Sequence, residues 1–158
     1  MAERSCNPSV AWGEMREDSS GSPVSVVLTT QNQYYPWISV DSSHVDTPYV
    51  SFTADAVNGD YLEIMSEGDG HYRLSFAGAF SGSASQTYAG AIFVDAVETG
   101  IKIFRAIGTG GDVGAAGSLG ILELTVGQKI RFKFKCTTAA SKTCAIYVMH
   151  VLIERIGR

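Results

Sequence analysis

The run from Gly68 to Gly82, Gly-Asp-Gly-His-Tyr-Arg-Leu-Ser-Phe-Ala-Gly-Ala-Phe-Ser-Gly, allows little besides an extended strand leaving a glycine turn. Side chains on a strand alternate between its two faces, so Tyr72, Leu74, Phe76 and Phe80 share one face while His71, Arg73, Ser75, Ala77 and Ala79 share the other. The first face is large and apolar and belongs in a core. The second is small and mixed, and it suits packing against another copy of the chain.

The same pattern recurs along the sequence. Runs rich in β-branched and aromatic residues at Val24 to Thr29, Tyr34 to Val40, Tyr49 to Phe52, Tyr61 to Ser66, His71 to Phe80, Tyr88 to Val97, Ile101 to Ile107, Leu119 to Thr125, Ile130 to Cys136 and Thr143 to Ile156 predict ten strands. The breaks hold Asn58-Gly59, Gly68-Asp69-Gly70, Gly100, Gly108 to Gly117 and Gly127-Gln128, all turn-forming. Pro36 sends its segment to an edge or a bend. No helical period and no internal repeat appears, which predicts an all-β sandwich or barrel. With 158 residues and 45% hydrophobic content, one packed core is expected. Residues 1–22 read as an N-terminal arm with a short strand at Val10 to Met15, and 23–158 as the β-sandwich domain.

The last strand departs from simple alternation. Ala145, Tyr147, Met149, Val151 and Ile153 are apolar on one face and Cys144, Ile146, Val148 and Leu152 on the other. One face goes to the core, and the other must be covered by a partner or by the arm, because soluble monomers rarely expose such a patch.

A net charge of −4 argues against nucleic acid as a partner. No apolar run approaches the roughly 20 residues of a membrane span. The opening Met-Ala-Glu-Arg-Ser-Cys lacks the apolar core of a secretion signal.

Tests for chemistry find little. His44, His71 and His150 fall on separate segments, and no spacing typical of zinc ligands occurs. His150 reads as a hydrogen-bonded core or interface residue. The glycine loop Gly108 to Gly117 ends in no Lys-Ser or Lys-Thr and is followed by no helix, so it reads as a flexible connection rather than a phosphate cradle. Gly78 to Gly82 has its serine one place too late for a nucleophile elbow. The scattered aspartates lack the dense spacing of a calcium loop. No catalytic residue, metal site or cofactor is expected, and the chain reads as a non-enzyme.

Cys136 and Cys144 flank Thr137 to Thr143 and allow a cross-hairpin disulfide, but two reduced, buried, small apolar residues are the favoured reading. Arg131, Lys133 and Lys135 alternate with Ile130, Phe132 and Phe134 and form a solvated sheet face.

Taken together, the strands resemble the ten-stranded jelly roll of the tumour necrosis factor and complement globular-head superfamily. Its Gly-x-Tyr start followed by an aromatic alternating strand is matched by Gly70, Tyr72, Leu74 and Phe76. Its leucine strand, turn and further alternating strand are matched by Leu122, Leu124, Gly127, Ile130, Phe132 and Phe134, with Gln128 where that pattern has Asp. Within this superfamily the chain is similar to small jelly-roll proteins of tailed bacteriophage particles, through Trp12-Gly13-Glu14-Met15 and Tyr34-Tyr35-Pro36-Trp37. The likeness covers about residues 10 to 156.

The resemblance implies a homotrimer in which the last strand lines the threefold axis, with Arg73, Ser75, Ala77, Tyr147, Met149 and Val151 at the shared interface. It further implies a virion location. One expectation is a capsid decoration or cement protein, its arm touching the major capsid protein or another virion protein through Trp12, Glu14 and Arg16. The other is the receptor-binding knob of a tail or head fibre, whose loops would meet a host surface glycan or protein through Ser83, Gln86 and Asp112.

Overall fold

The computed structural model describes residues 11–19, 21–38, 43–45 and 47–157, with the side chains of 43–45 excepted. Residues 1–10 of the expected arm, Cys6 among them, lie outside the described residues. Twelve strands occur among those described: β1 (Trp12–Asp18), β2 (Val24–Leu28), β3 (Tyr35–Pro36), β4 (Ser43–Val45), β5 (Val50–Thr53), β6 (Tyr61–Ile64), β7 (Gly70–Ser81), β8 (Gln86–Val94), β9 (Val97–Ile107), β10 (Gly114–Leu124), β11 (Lys129–Cys136) and β12 (Lys142–Gly157). They form two antiparallel sheets packed face to face. Sheet I runs β10-β7-β12-β1-β4 with β2 also on β12, and sheet II runs β5-β6-β11-β8-β9 with β3 also on β11.

The core is built by the alternation read from sequence. Tyr72, Leu74, Phe76 and Phe80 of β7 are buried, as are Ile130, Phe132, Phe134 and Cys136 of β11. The two sets meet through their rings, Phe76 against Phe132 at 4.4 Å and Phe80 against Phe134 at 5.4 Å between centroids. These tilted and edge-on arrangements suit the ring quadrupoles and tie the sheets together.

The glycine turn ahead of β7 is fixed by contacts that admit no side chain. A Cβ at Gly68 would come within 2.8 Å of the carbonyl oxygens of Met65 and Tyr49. The Gly68 carbonyl accepts a 2.6 Å hydrogen bond from the buried Tyr72 hydroxyl, which anchors the turn to the strand it starts. Asp69 in the same turn accepts the Val126 N–H at 2.8 Å, so the β6–β7 and β10–β11 turns are held together.

Several strand limits differ from the sequence reading, each for a local reason. β1 is no part of a separate arm, because it pairs with β12 along its whole length and with β4 on its other edge. The boundary expected at residue 22 therefore falls within sheet I. β9 begins at Val97 and runs through Gly100, where a break was expected; the chain reverses at Asp95, with φ 54°, and Gly100, with φ 81°, sits in the irregular stretch opposite Ile92. β10 begins at Gly114, so the flexible loop expected from Gly108 to Gly117 is shorter, its last residues pairing with Phe80 to Ala77 of β7. Of the strand expected from Tyr34 to Val40, the described residues 34–38 form a strand only at Tyr35–Pro36, as a proline at an edge would allow, and residues 39 and 40 lie outside the described residues.

β12 changes face partway along. A register shift between Ile146 and Val148 adds one residue, so Cys144 and Ile146 face the core before it and Met149, Val151 and Ile153 face the core after it. β11 and β12 belong to different sheets, so Cys136 and Cys144 do not face each other across a hairpin; both are buried free thiols, and burial pushes the Cys144 thiol well above its usual range.

The outer face of sheet II is covered by its own side chains. Ala89 and Ala91 of β8 are buried beneath neighbouring long residues, with Lys135 and Lys133 opposite them in register. Lys129 and Arg131 lie over Tyr61 at 4.8 and 4.5 Å, Lys133 over Phe93 at 4.6 Å, and Lys135 over Tyr34 at 4.3 Å. The expected solvated basic face is in fact a half-buried layer of cations on aromatic rings. Burial, then the adjacent Glu98 carboxylate, pushes the Tyr34 hydroxyl up to about 12.

Two outcomes follow from this packing. Tyr72→Phe removes the buried bond to Gly68 and should lower unfolding free energy by about 1–2 kcal/mol, measured by urea unfolding; an unchanged midpoint would show that the turn does not depend on it. The unfolded chain releases the Tyr34 proton near 10.0 whereas the folded chain holds it to about 12, so this residue's contribution to stability is lost as pH rises through that window. Unfolding curves between these limits should fall less steeply for Tyr34→Phe than for the parent, and equal slopes would refute the assignment.

Candidate functional site: the outer face of the first sheet

Sheet I presents an outward face that its own side chains do not close. Four strands contribute to it in register. From β10 come Ala115, Gly117, Leu119 and Ile121, and opposite them on β7 stand Ala79, Ala77, Ser75 and Arg73. β12 continues the rows with Val148, His150, Leu152 and Glu154, and β1 completes them with Asp18, Arg16, Glu14 and Trp12.

The rows give the face a gradient. On the β10 and β7 side it is small and apolar, a shallow depression floored by Ala77, Gly78, Ala79, Ala115, Ala116 and Gly117. Leu119 and Ile121 beside it are 69% and 60% exposed, well beyond what a single scattered surface leucine would signify, because they adjoin the alanine rows. Towards β1 the face becomes charged. His150 Nδ1 lies 3.1 Å from Glu14 Oε1, and Arg73 pairs with Glu154 across the β7–β12 ladder. A second depression lies between Trp12, Glu14, Leu152 and Glu154.

This arrangement sorts the residues expected at a shared interface. Arg73, Ser75 and Ala77 do lie on the outer face, as alternation along β7 predicts. Met149 and Val151 do not; both are fully buried in the sandwich, because the extra residue at the Ile146–Val148 shift reverses the faces of β12. Tyr147 sits half-buried at the shift itself. His150, read from sequence as a hydrogen-bonded core or interface residue, is outward and exposed. The outward residues of β12 that sequence reasoning missed are Val148 and Leu152, for which alternation alone carried no signal because both faces of that strand are apolar in sequence.

Trp12, Glu14 and Arg16 are also outward residues of sheet I. Ser83, Gln86 and Asp112 lie at one end of the sandwich, where two loops meet: the Gly111 N–H reaches the Gly82 carbonyl at 3.4 Å. Ser83 donates its N–H to the Tyr88 hydroxyl and Gln86 accepts from Thr138 at 2.8 Å. Arg105 lies over the Phe80 ring at 5.4 Å, donates to the Phe80 and Asp112 carbonyls, and pairs with the Asp112 carboxylate at 3.3 Å. The end loops are thus pinned to the sandwich. Among the described residues, no three His, Cys, Asp or Glu side chains gather in a way that would hold a metal ion.

No protein-family model and no curated protein sequence matches the chain. Solved structures do match it in fold. Eiger TNF from S. frugiperda superposes with a TM-score of 0.61 at 10% identity, over 94% of each chain. The globular domain of zebrafish complement 1qA gives 0.57 at 11% identity, over 94% of this chain and 98% of that one. PRD1 vertex protein P5 gives 0.53 at 12% identity, over 93% of this chain and 74% of that one. The two antiparallel sheets therefore have the jelly-roll fold of the tumour necrosis factor and complement globular heads, which one viral vertex protein also resembles.

Proposed function

We propose that this chain is a non-enzymatic virion structural protein of a tailed bacteriophage, a homotrimeric capsid decoration or cement protein held on the particle by the major capsid protein or another virion protein. The observation that carries self-association is the open outer face of sheet I. Apolar surface left against water is costly at roughly 25 cal/mol per Å², and the alanine and glycine rows let a second backbone approach closely. The gradient of the face also favours a ring. A heterologous contact sets the alanine side of one copy against a different part of the next, and such contacts form a cyclic assembly when the rotation between copies closes. Three copies, rather than another number, is what the resemblance to the globular-head jelly rolls implies.

The virion setting is supported by the fold likeness to a vertex protein and by the Trp12 to Met15 and Tyr34 to Trp37 segments. In this reading Trp12, Glu14 and Arg16 lie along the β1 side of the assembly face, near the chain's N-terminal segment, and contribute to contact with the particle. A second reading is favoured by the paired end loops. Ser83, Gln86 and Asp112 lie together on a rigid end of the sandwich, the position in which a fibre knob would present residues to a host surface glycan or protein.

Light scattering of the purified protein should give the mass of a trimer. Ala77→Arg, which places a charge in the alanine rows without touching the core, should yield a folded monomer with an unchanged circular dichroism spectrum; a trimer that survives this change would reject sheet I as the shared face. Quantitative mass spectrometry of purified particles then separates the two readings. Copy numbers on the order of hundreds, as a symmetric shell requires, support decoration, and a few dozen or fewer support a fibre.

A further inference from the structure

The opposite face of the molecule carries a different feature. On the outer side of sheet II, a depression of about 400 Å³ is lined by Pro36, Val57, Asn58, Asp95, Ala96, Arg131 and Lys133. That size is within the range of about 300–1,000 Å³ in which small ligands are held. Its walls divide chemically, with Pro36, Val57 and Ala96 apolar and the two β11 cations side by side.

The charges of β11 are unevenly matched. Arg131 is 3.7 Å from the Asp55 carboxylate and donates to the Gly59 carbonyl at 3.3 Å. Lys135 is near enough to Glu98 to help hold that carboxyl below its usual range, although Lys102 does more. Lys129 stands opposite Glu63 in the β11–β6 register. Lys133 differs. Its amine lies over Phe93, opposite Ala91 on one side and Pro36 on the other, and no carboxylate pairs with it among the described residues. Asp95, the acidic residue of the lining, accepts the Lys129 N–H at 3.0 Å through one carboxylate oxygen and forms no ion pair with Lys133 among the described residues, which leaves its other oxygen at the rim. Burial first, and then the positive charge of Arg131, lowers the Lys133 amine below its usual range. An amine held half-buried beside a second cation is stabilised by any anion that enters the depression.

We propose that this depression binds a sugar bearing an oxyanion, a carboxylate or a phosphate, with Lys133 as its principal counter-charge, Arg131 adding positive potential, and Pro36, Val57 and Ala96 packing against the ring. Asn58 and Asp95 supply polar atoms at the rim for hydroxyl groups. The site is on the face away from sheet I, so it is read independently of the proposed assembly. In a ring closed through sheet I it would point outward in every copy, where weak sites gain from multivalency.

Chemical-shift titration of the parent protein with glucuronate, glucose 1-phosphate and glucose tests this. At least one charged sugar should shift amides of Asn58, Ala96 and Lys133 while glucose leaves them in place, and the tighter of the two identifies the anion as carboxylate or phosphate. Lys133→Gln should weaken that binding about tenfold, the loss of one charge-assisted bond. Ala96→Phe, which fills the depression from an exposed turn position, should weaken it as well, and Lys129→Gln, outside the lining, should leave it unchanged. Melting temperatures of the variants separate lost binding from lost fold. No response to either charged sugar, equal binding of glucose, equal binding of inorganic phosphate alone, or parental affinity in both folded Lys133→Gln and Ala96→Phe would overturn the proposal.

Discussion

The contact between Phe76 and Phe132, rings 4.4 Å apart across the sandwich, fixes how everything else is arranged. It sets the faces of β7 and β11 at once, since in each strand every second residue must then point inward. β7 can give its other face to solvent or to a partner only because its large residues are used here. β11 can carry four cations on its outer side for the same reason. Phe132 further touches Phe134 at 4.9 Å, and Phe134 in turn meets Phe80, so the register is pinned at several points along the two strands rather than at one. A slip of one residue in either strand would expose these rings and bury Arg73, Arg131 or Lys133.

How far the fold was legible in sequence follows from this constraint. β7 and β11 alternate without interruption, and both were readable because one face of each is apolar and the other is not. β12 was misread after Ile146, since both of its faces are apolar in sequence and a one-residue shift leaves no compositional mark. The short strand expected at Val10 to Met15 is the start of β1, but its place within sheet I was not legible, because of its inward positions Gly13, Met15 and Glu17 only Met15 looks like core. The structure explains the other two. A Cβ at Gly13 would press on Val50 and Leu62 of the opposite sheet, and Glu17 is buried with Ser19 donating to its carboxylate. Such positions are set by tertiary contact, which local pattern does not encode. The outer face of sheet I was legible in the same uneven way: Arg73, Ser75 and Ala77 from alternation, Val148 and Leu152 only from the paired register.

The two outer faces show opposite ways of finishing a sheet. Sheet II has alanines on β8, and long basic and aromatic residues from both neighbours, β11 and β9, fold over them. Sheet I also has alanines near its centre, but their neighbours on β10, Ala115 and Gly117, are small, and His150 on β12 is the one polar residue opposite Ala77 in register. Ala77 is exposed and Ala79 half-buried where Ala89 and Ala91 are buried. Identical residue types thus have different fates because of the side chains one strand away. That contrast, more than the apolar content of either face, is what supports the proposal that sheet I meets another chain.

This division also explains why the anion site and the assembly face do not compete. Covering Ala89 and Ala91 requires long side chains, and long side chains with solvated ends are basic here, so the cover itself concentrates positive charge on β11. Arg131, Lys129 and Lys135 have carboxylates near them, from the Asp55 turn, β6 and β9 respectively. At Lys133 the neighbours are Pro36 and Ala91, neither able to supply one, because β3 lies beside β11 at this point as a two-residue antiparallel pairing. An unmatched cation is therefore a consequence of how the sheet is covered, and the proline that shortens β3 leaves the depression open beside it.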